Sequence, residues 1–318
     1  GPSENAGALS GTGFAFGYLG GLVALAIMLI FFMTLEQGRT IAGFAPAFGL
    51  DPTRAEDQRI VGPFTALWFV LFMVPYFWWV RDAPVRSGRA RIGDALSNLV
   101  ATLRRLPARR SLFAYLGGSM LYRDALNGLY AFGGTYAVLV LNWTTTQVGV
   151  FGIVSVIAAG AFSWVGGRID LAVGPKPVVL VTVWGLILVC IIIVGMDRSR
   201  FYGFPLEEGS GLPDTVFYAC GILIGGLGGT LQAASRTLML RHTDPAAPTE
   251  SFALYGLSGR ATAFLAPALI GLVTAWSGNA RFGVAPLIGL FVLGLLLLRF
   301  VQAEGDRETW RDGEVQQQ

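Results

Sequence analysis

Long apolar runs separated by short polar stretches set the pattern of this chain. About 20 apolar residues are enough to cross a hydrocarbon core roughly 30 Å thick. Eight segments have that character: Phe14 to Thr34, Val61 to Val80, Leu112 to Leu141, Gln147 to Gly166, Pro177 to Met196, Thr215 to Ser235, Ser251 to Trp276 and Phe282 to Leu298. They do not alternate apolar and polar at every second position, as lipid-facing barrel strands must. The expected fold is therefore all-α, a polytopic membrane helix bundle. The third run is long enough to tilt or break, and Pro267 in the seventh marks a place for a kink.

Composition agrees with the pattern: 53% of the 318 residues are hydrophobic, 14% are charged, and the mean hydropathy is +0.59. A soluble domain carries about 25% charged residues. The charges also set an expected orientation, because cytoplasmic loops hold the excess of Lys and Arg. One set of alternate loops, with the C-terminal tail, carries fifteen basic residues, eight of them between Arg81 and Arg110; the other set carries six. The linker and both chain ends are thus expected in the cytoplasm. The net charge of +3 reflects this bias, and with no basic, aromatic soluble domain left over, no nucleic-acid partner is expected.

Within the linker, Ile92, Ala95, Leu96, Leu99, Val100, Leu103 and Leu106 recur at helical spacing before Pro107. That predicts an amphipathic helix lying on the bilayer surface, either a plain connector or a partner site. Trp78 and Trp79 before Arg81 fit an interfacial aromatic anchor.

Arg123, Asp124 and Arg260 lie inside apolar runs, where each costs roughly 2.5 to 3.5 kcal/mol if it faces lipid at mid-helix. Each must face a partner or a wet cavity. In the third span Arg123, Asn127, Tyr130 and Gly134 fall near one face, with Asp124 and Gly128 on the next. Arg123 and Asp124 either form a buried ion network that fixes register or line a solute or proton route. Gln232, Ser235 and Arg236 sit together near one end of the sixth span, and Arg236 either snorkels or gates. Arg260, flanked by Tyr255, Ser258 and Thr262, suggests a carboxylate contact. Gly13, Gly17 and Gly21, and again Gly221, Gly225 and Gly229, are spaced for close helix approach. After the fourth span, Gly166, Asp170, Gly174 and Lys176 form either a latch between helices or an ordinary turn.

Enzyme chemistry has little material. His242 is the single histidine, placed in a loop and expected to be solvated, so neither a His-based metal site nor a Ser-His triad is available within the membrane. Cys190 and Cys220 read as packed thiols. No phosphate-cradling Gly-Lys-Ser loop occurs. No cofactor or metal is expected.

Four stretches carry a resemblance: GFAFGYLGG from Gly13, LYRDALNGLYAFGGTYA from Leu121, QAASRTLML from Gln232 and LYGLSGRATAFLAP from Leu254. Together they resemble the vacuole effluxer family of the major facilitator superfamily, the autophagy-linked vacuolar amino-acid effluxers and their bacterial relatives. The resemblance implies a transporter of two six-helix halves, of which this chain looks like helices five to twelve. Residues 1–80 would end the N-terminal half, 81–110 the linker, 111–302 the C-terminal half and 303–318 a cytoplasmic tail. Phe14, Ala15, Leu19 and Gly21 echo Phe252, Ala253, Leu257 and Gly259, as equivalent helices of the two halves would. In many facilitators a Gly-x-x-x-Asp-Arg-x-Gly loop follows helix eight; here Leu171 follows Asp170 and the glycine comes one place late at Gly174.

The function expected is secondary transport of a small polar solute by alternating access. Amino acids are the first candidate, with export and proton coupling as further expectations, in a bacterial inner membrane. Arg260 would hold a carboxylate, Asp124 would carry a proton, and Asn127, Tyr130 and Gln232 would line the path. The alternative is a transport-inactive membrane scaffold.

Overall fold

A computed structural model describes residues 5–34, 38–80, 100, 104, 106–243 and 248–305. Most of the expected amphipathic helix over 92–106 and most of the basic linker lie outside the described residues. Helices account for nearly all of the rest: α1 (Ala6–Phe31), α2 (Glu56–Arg59), α3 (Val61–Trp79), α4 (Arg110–Leu139), α5 (Thr145–Val173), α6 (Pro175–Val194), α7 (Leu212–His242), α8 (Pro248–Ala261), α9 (Leu265–Ser277) and α10 (Ala285–Leu298). Strand structure among the described residues is one short hairpin of β1 (Arg200–Phe201) and β2 (Phe204–Pro205).

Seven helical segments among the described residues are long and apolar enough to cross a membrane: Ala6–Phe31, Glu56–Trp79, Gln147–Val173, Pro175–Val194, Leu212–His242, Ser251–Ser277 and Ala280–Leu298. The protein is an integral membrane protein. Its remaining expected span is α4, whose 30 residues are ample in length but are interrupted by Arg123, Asp124 and Asn127.

The seventh expected span is not one helix. α8 stops at Ala261 and α9 begins at Leu265, with tight turn bonds from Ala263 N–H to the Arg260 carbonyl (3.3 Å) and from Leu265 N–H to the Thr262 carbonyl (2.8 Å). Pro267 supplies the reason. It has no N–H for the carbonyl four residues earlier and its ring crowds that position, so the chain breaks just before it.

The chain forms two compact units, Leu19–Ala95 and the remainder, Gly1–Tyr18 with Leu96–Gln318. In the first, the Thr34 hydroxyl donates to Asp57 Oδ2 at 2.6 Å, and an aromatic row runs Phe32, Phe64, Trp68, Phe72. Asp51 caps the turn Pro52–Arg54 by accepting from Thr53 N–H at 2.9 Å. Its exposed carboxyl lies below the ordinary range because the Thr53 hydroxyl and N–H both donate to it.

In the larger unit the most extensive packing joins α5 to α7, followed by α4 to α10 and α6 to α7. Gly221, Gly225 and Gly229 of α7 lie directly against Phe151, the Ser155 carbonyl and Ser163 of α5, as the spacing predicts. The matching stripe in α1 behaves differently. Among the described residues Gly13, Gly17 and Gly21 face open space, and it is Gly7 and Gly11 that let α1 meet α5 at Asp170, Ser163 and Gly167.

Local signals set the helix ends. Thr144 and Gln147 form a reciprocal capping box at the start of α5. Gly174, at φ 86°, turns the chain into Pro175 at the first position of α6. This corrects the expected loop after Gly166: the helix runs on to Val173, so Gly166 and Asp170 are helical and the turn shrinks to Gly174.

His242 is a second correction. It is fully buried, not solvated, because α7 continues to it and the chain after α10 folds over it. Nδ1 bonds the Leu238 carbonyl at 2.9 Å and Nε2 bonds the Ser111 hydroxyl at 2.7 Å. Gln302 N–H donates to that hydroxyl, and Tyr115 stacks on the imidazole. Cys190 and Cys220 are free and buried.

At the other end of this unit, Arg281 pairs with Asp197 at 2.7 Å, and Asp214 receives Arg198 at 2.5 Å and the Trp143 indole at 2.6 Å. Partial burial raises the Asp197 carboxyl, but bonds from Ser199 and Arg200 N–H and the Arg281 charge outweigh it. The net position is below its ordinary 3.8. A depressed carboxylate stabilises the fold above its unfolded value and loses that contribution as pH falls through the folded one. Melting temperature is therefore expected to drop below about pH 4, and Asp197→Asn to flatten that limb; an unchanged acid limb in the variant would remove the assignment.

Candidate functional site

The polar residues of three helices converge on one cavity in the larger unit. Its volume is about 550 Å³, and Gly13, Phe14, Gly17, Tyr18, Asn127, Tyr130, Gln232 and Arg236 line it. α4 presents Asn127 and Tyr130 three residues apart, on one face, while α7 presents Gln232 and Arg236 four apart. α1 closes the wall with Tyr18 one turn after Phe14.

Two interactions order the wall. The Gln232 amide donates to the Tyr18 hydroxyl at 3.2 Å, and Tyr130 interacts with both. Gly228 leaves room for the Tyr130 hydroxyl, which a Cβ there would displace. Arg236 lies at the Phe14 end, its guanidinium 5.7 Å from that ring, and among the described residues no carboxylate pairs with it. One fixed cation, two phenols and two amides are what a carboxylate-bearing polar solute needs from a binding wall.

A second cavity of about 430 Å³ shares Tyr18 and Tyr130 with the first, and is otherwise lined mainly by apolar and small residues such as Leu129, Val148, Phe151 and Ile224. The two tyrosines stand between a polar chamber and an apolar one.

α7 is tied to α4 beside Arg236. The Tyr115 hydroxyl donates to the Ser235 carbonyl at 2.5 Å, and Tyr122 bonds the Ser235 hydroxyl at 2.8 Å. Tyr115 in turn stacks between His242 and Tyr255.

The remaining expected residues fall elsewhere. Arg123 reaches the Tyr255 carbonyl at 3.2 Å and lies 4.1 Å over that ring. Asp124 is buried and accepts from Ala266 N–H at 2.9 Å. The two neighbours thus point to different partners. Arg260 is exposed and lines neither cavity; with α8 ending at Ala261 it sits in a last turn, where a cation suits the helix dipole. Among the expected latch residues, Lys176 Nζ donates to the Val301 carbonyl at 2.6 Å. Asp170 is buried near Thr237 and Arg241, Gly174 lies under the Arg241 guanidinium, and Gly166 abuts Thr230.

Sequence reasoning missed Tyr18. The signal was a lone hydroxyl-bearing ring inside the glycine-rich string GFAFGYLGG, where small neighbours leave a large side chain room to face a cavity.

The family model described as vacuole effluxer Atg22 like matches residues 2–310. The chain belongs to this family. Among its relatives, the uncharacterized MFS-type transporter YxiO of Bacillus subtilis is 23% identical over 305 residues, covering 95% of this chain and 65% of that protein. Autophagy-related protein 22 of Botryotinia fuckeliana is 25% identical over 324 residues, 94% of this chain and 44% of that protein. Autophagy-related protein 22-1 of Aspergillus clavatus is 24% identical over 319 residues, 94% and 50% respectively. The chain thus spans between 44% and 65% of the length of these relatives.

Proposed function

We propose that this chain forms the solute-binding part of a secondary transporter that exports a small carboxylate-bearing solute by alternating access. Amino acids are the first candidate. The observation that carries the proposal is the 550 Å³ cavity, in which Arg236, Gln232, Asn127, Tyr18 and Tyr130 meet. Its volume suits a metabolite, and among the described residues no carboxylate pairs with its guanidinium, which leaves that cation available to an anionic ligand. Arg236 takes the carboxylate role in this reading, Tyr18, Tyr130, Asn127 and Gln232 orient the polar groups, and Arg123, Asp124 and Tyr255 act in coupling to protons. Membership of the Atg22-like family and the MFS-type name of a bacterial relative support a transporter over a scaffold. The basic linker and tail face the cytoplasm of a bacterial inner membrane in this picture, and Lys176, Asp170, Gly174 and Gly166 close that end.

The test is flux through liposomes reconstituted with the full-length protein, over a panel of amino acids and other small carboxylates, with and without a pH gradient. Protein-dependent flux of a carboxylate-bearing solute is the expected result. No flux of any member, with insertion verified, would overturn the reading. Loss in Arg260→Ala with normal rates in Arg236→Ala would move the anion contact to Arg260.

A further inference from the structure

Two neighbouring residues of α4 hold the two halves of a broken membrane helix. Arg123 holds the first half: its guanidinium donates to the Tyr255 carbonyl, covers the Tyr255 ring at 4.1 Å and packs against Gly259. Asp124 holds the second half, because its Oδ2 accepts from the N–H of Ala266, the second residue of α9. That N–H is one of the four donors a helix start leaves unmet. The break at residues 262–264 lies between the two grips.

Asp124 is only 1% exposed, and its other oxygen, Oδ1, has no hydrogen-bond partner among the described residues; the hydroxyl of Thr262, in the break itself, is also buried and has none among them. A buried ionised carboxylate normally needs donors on both oxygens. Here one N–H and the start of a 13-residue helix hold it, and one oxygen is left open. Among the described residues no neighbouring cation completes it. Arg123 turns to Tyr255, and α9 and α10 contain no titratable side chain. On the segment between them Arg281 is paired with Asp197. Arg260 on α8 is exposed, and Arg236 on α7 lines the polar cavity.

We propose that Asp124 Oδ1 is a proton site and that its occupancy releases α9. One proton passes from bulk water to Oδ1, forming an O–H bond and neutralising the carboxylate, and returns to water when the site empties. A charge-assisted bond is about twice as strong as a neutral one, and the dipole term vanishes with the charge. Protonation therefore loosens the second half-helix while Arg123 still grips the first. A proton needs one open oxygen, whereas a metal cation needs about six ligands. The inference rests on the transport reading for its purpose, since a cation-controlled hinge is how a gradient drives alternating access; the site itself can be tested without any flux.

The experiment is hydrogen exchange of the 262–270 segment in the full-length protein in nanodiscs, between about pH 5 and pH 8, corrected for the intrinsic rate. Wild type is expected to lose protection about tenfold as pH falls. Asp124→Asn, an uncharged isostere that still offers a carbonyl to Ala266, is expected to be weakly protected at every pH, and Asp124→Glu to regain the pH response. A pH-independent wild type, or an Asn variant that follows the wild-type curve, overturns the proposal. So does protection that follows sodium at fixed pH after exchange for choline. Should Asp124→Asn fail to insert, the wild-type and Asp124→Glu curves still decide. In flux assays Asp124→Asn is expected to lose accumulation driven by a pH gradient. Absence of wild-type flux, with pH-controlled exchange intact, would sink the transport reading and leave the proton site standing.

Discussion

Arg236→Gln is expected to weaken the apparent affinity of the full-length protein for a carboxylate-bearing solute by about 10- to 100-fold, with normal insertion and gel-filtration behaviour. The size follows from the bond removed. A hydrogen bond to a charged group contributes roughly 1.5 to 3 kcal/mol, and each 1.4 kcal/mol is about tenfold. Stability is expected to be little altered, because Arg236 is exposed to the cavity and has no carboxylate partner among the described residues. Removing it strands no buried charge. A sharper form of the test pairs the solute with its methyl ester. Wild type should discriminate strongly between acid and ester, and Arg236→Gln should discriminate little, since the missing charges then meet. If the variant still prefers the acid as strongly as wild type, the guanidinium is not the anion contact. Tyr18→Phe should cost less, about 1 kcal/mol, because it removes only neutral bonding, to Gln232 and Tyr130.

The membrane fold was legible because burial in lipid is written in composition. Long apolar runs have few alternatives to crossing as helices, and all eight expected segments are helical, the seventh in two pieces. The wall of the polar cavity was also legible in part, since Asn127, Tyr130, Gln232 and Arg236 are polar residues at helical spacing in an apolar background. Tyr18 was harder to see, because an aromatic ring in a glycine-rich run looks the same whether it faces lipid or a cavity. Tertiary choices were hidden for a related reason. Glycine at every fourth position marks a face that can approach another helix, without saying which helix arrives; so Gly225 found Ser155, while Gly13 and Gly17 were left to line the cavity. Arg260 was placed at mid-span on the assumption of a continuous helix, and the break before Pro267 turned that position into a helix end. His242 was judged by its polar neighbours in sequence, but its burial depends on Ser111 and Gln302, 131 residues before it and three helices beyond it.

Gly225→Leu is expected to have the largest effect on folding, lowering the melting temperature of the detergent-solubilised protein sharply and cutting the yield of monodisperse material. A Cβ at this position would run into the Ser155 carbonyl and carbon of α5, which are backbone atoms and have no rotamer to yield with. Relief requires α5 and α7 to separate along the whole contact, and that contact is the most extensive in the larger unit. Overpacking a tight core costs about 1 to 3 kcal/mol, and here the lost packing of Gly221 against Phe151 and of Gly229 against Ala159 and Ser163 adds to it. Gly225→Ala should already destabilise, although alanine is favoured over glycine in a helix interior by about 1 kcal/mol. Gly271→Ala provides the opposite sign. That glycine is also helical, in α9, but has open space where a Cβ would go, so propensity alone acts and stability should hold or rise. Matching melting temperatures for Gly225→Ala and Gly271→Ala would mean that helix propensity, not backbone contact, sets the demand for glycine in α7. A drop confined to Gly225 would instead identify the α5–α7 seam as the contact that positions Gln232 and Arg236, seven and eleven residues further along the same helix, against the wall of the cavity.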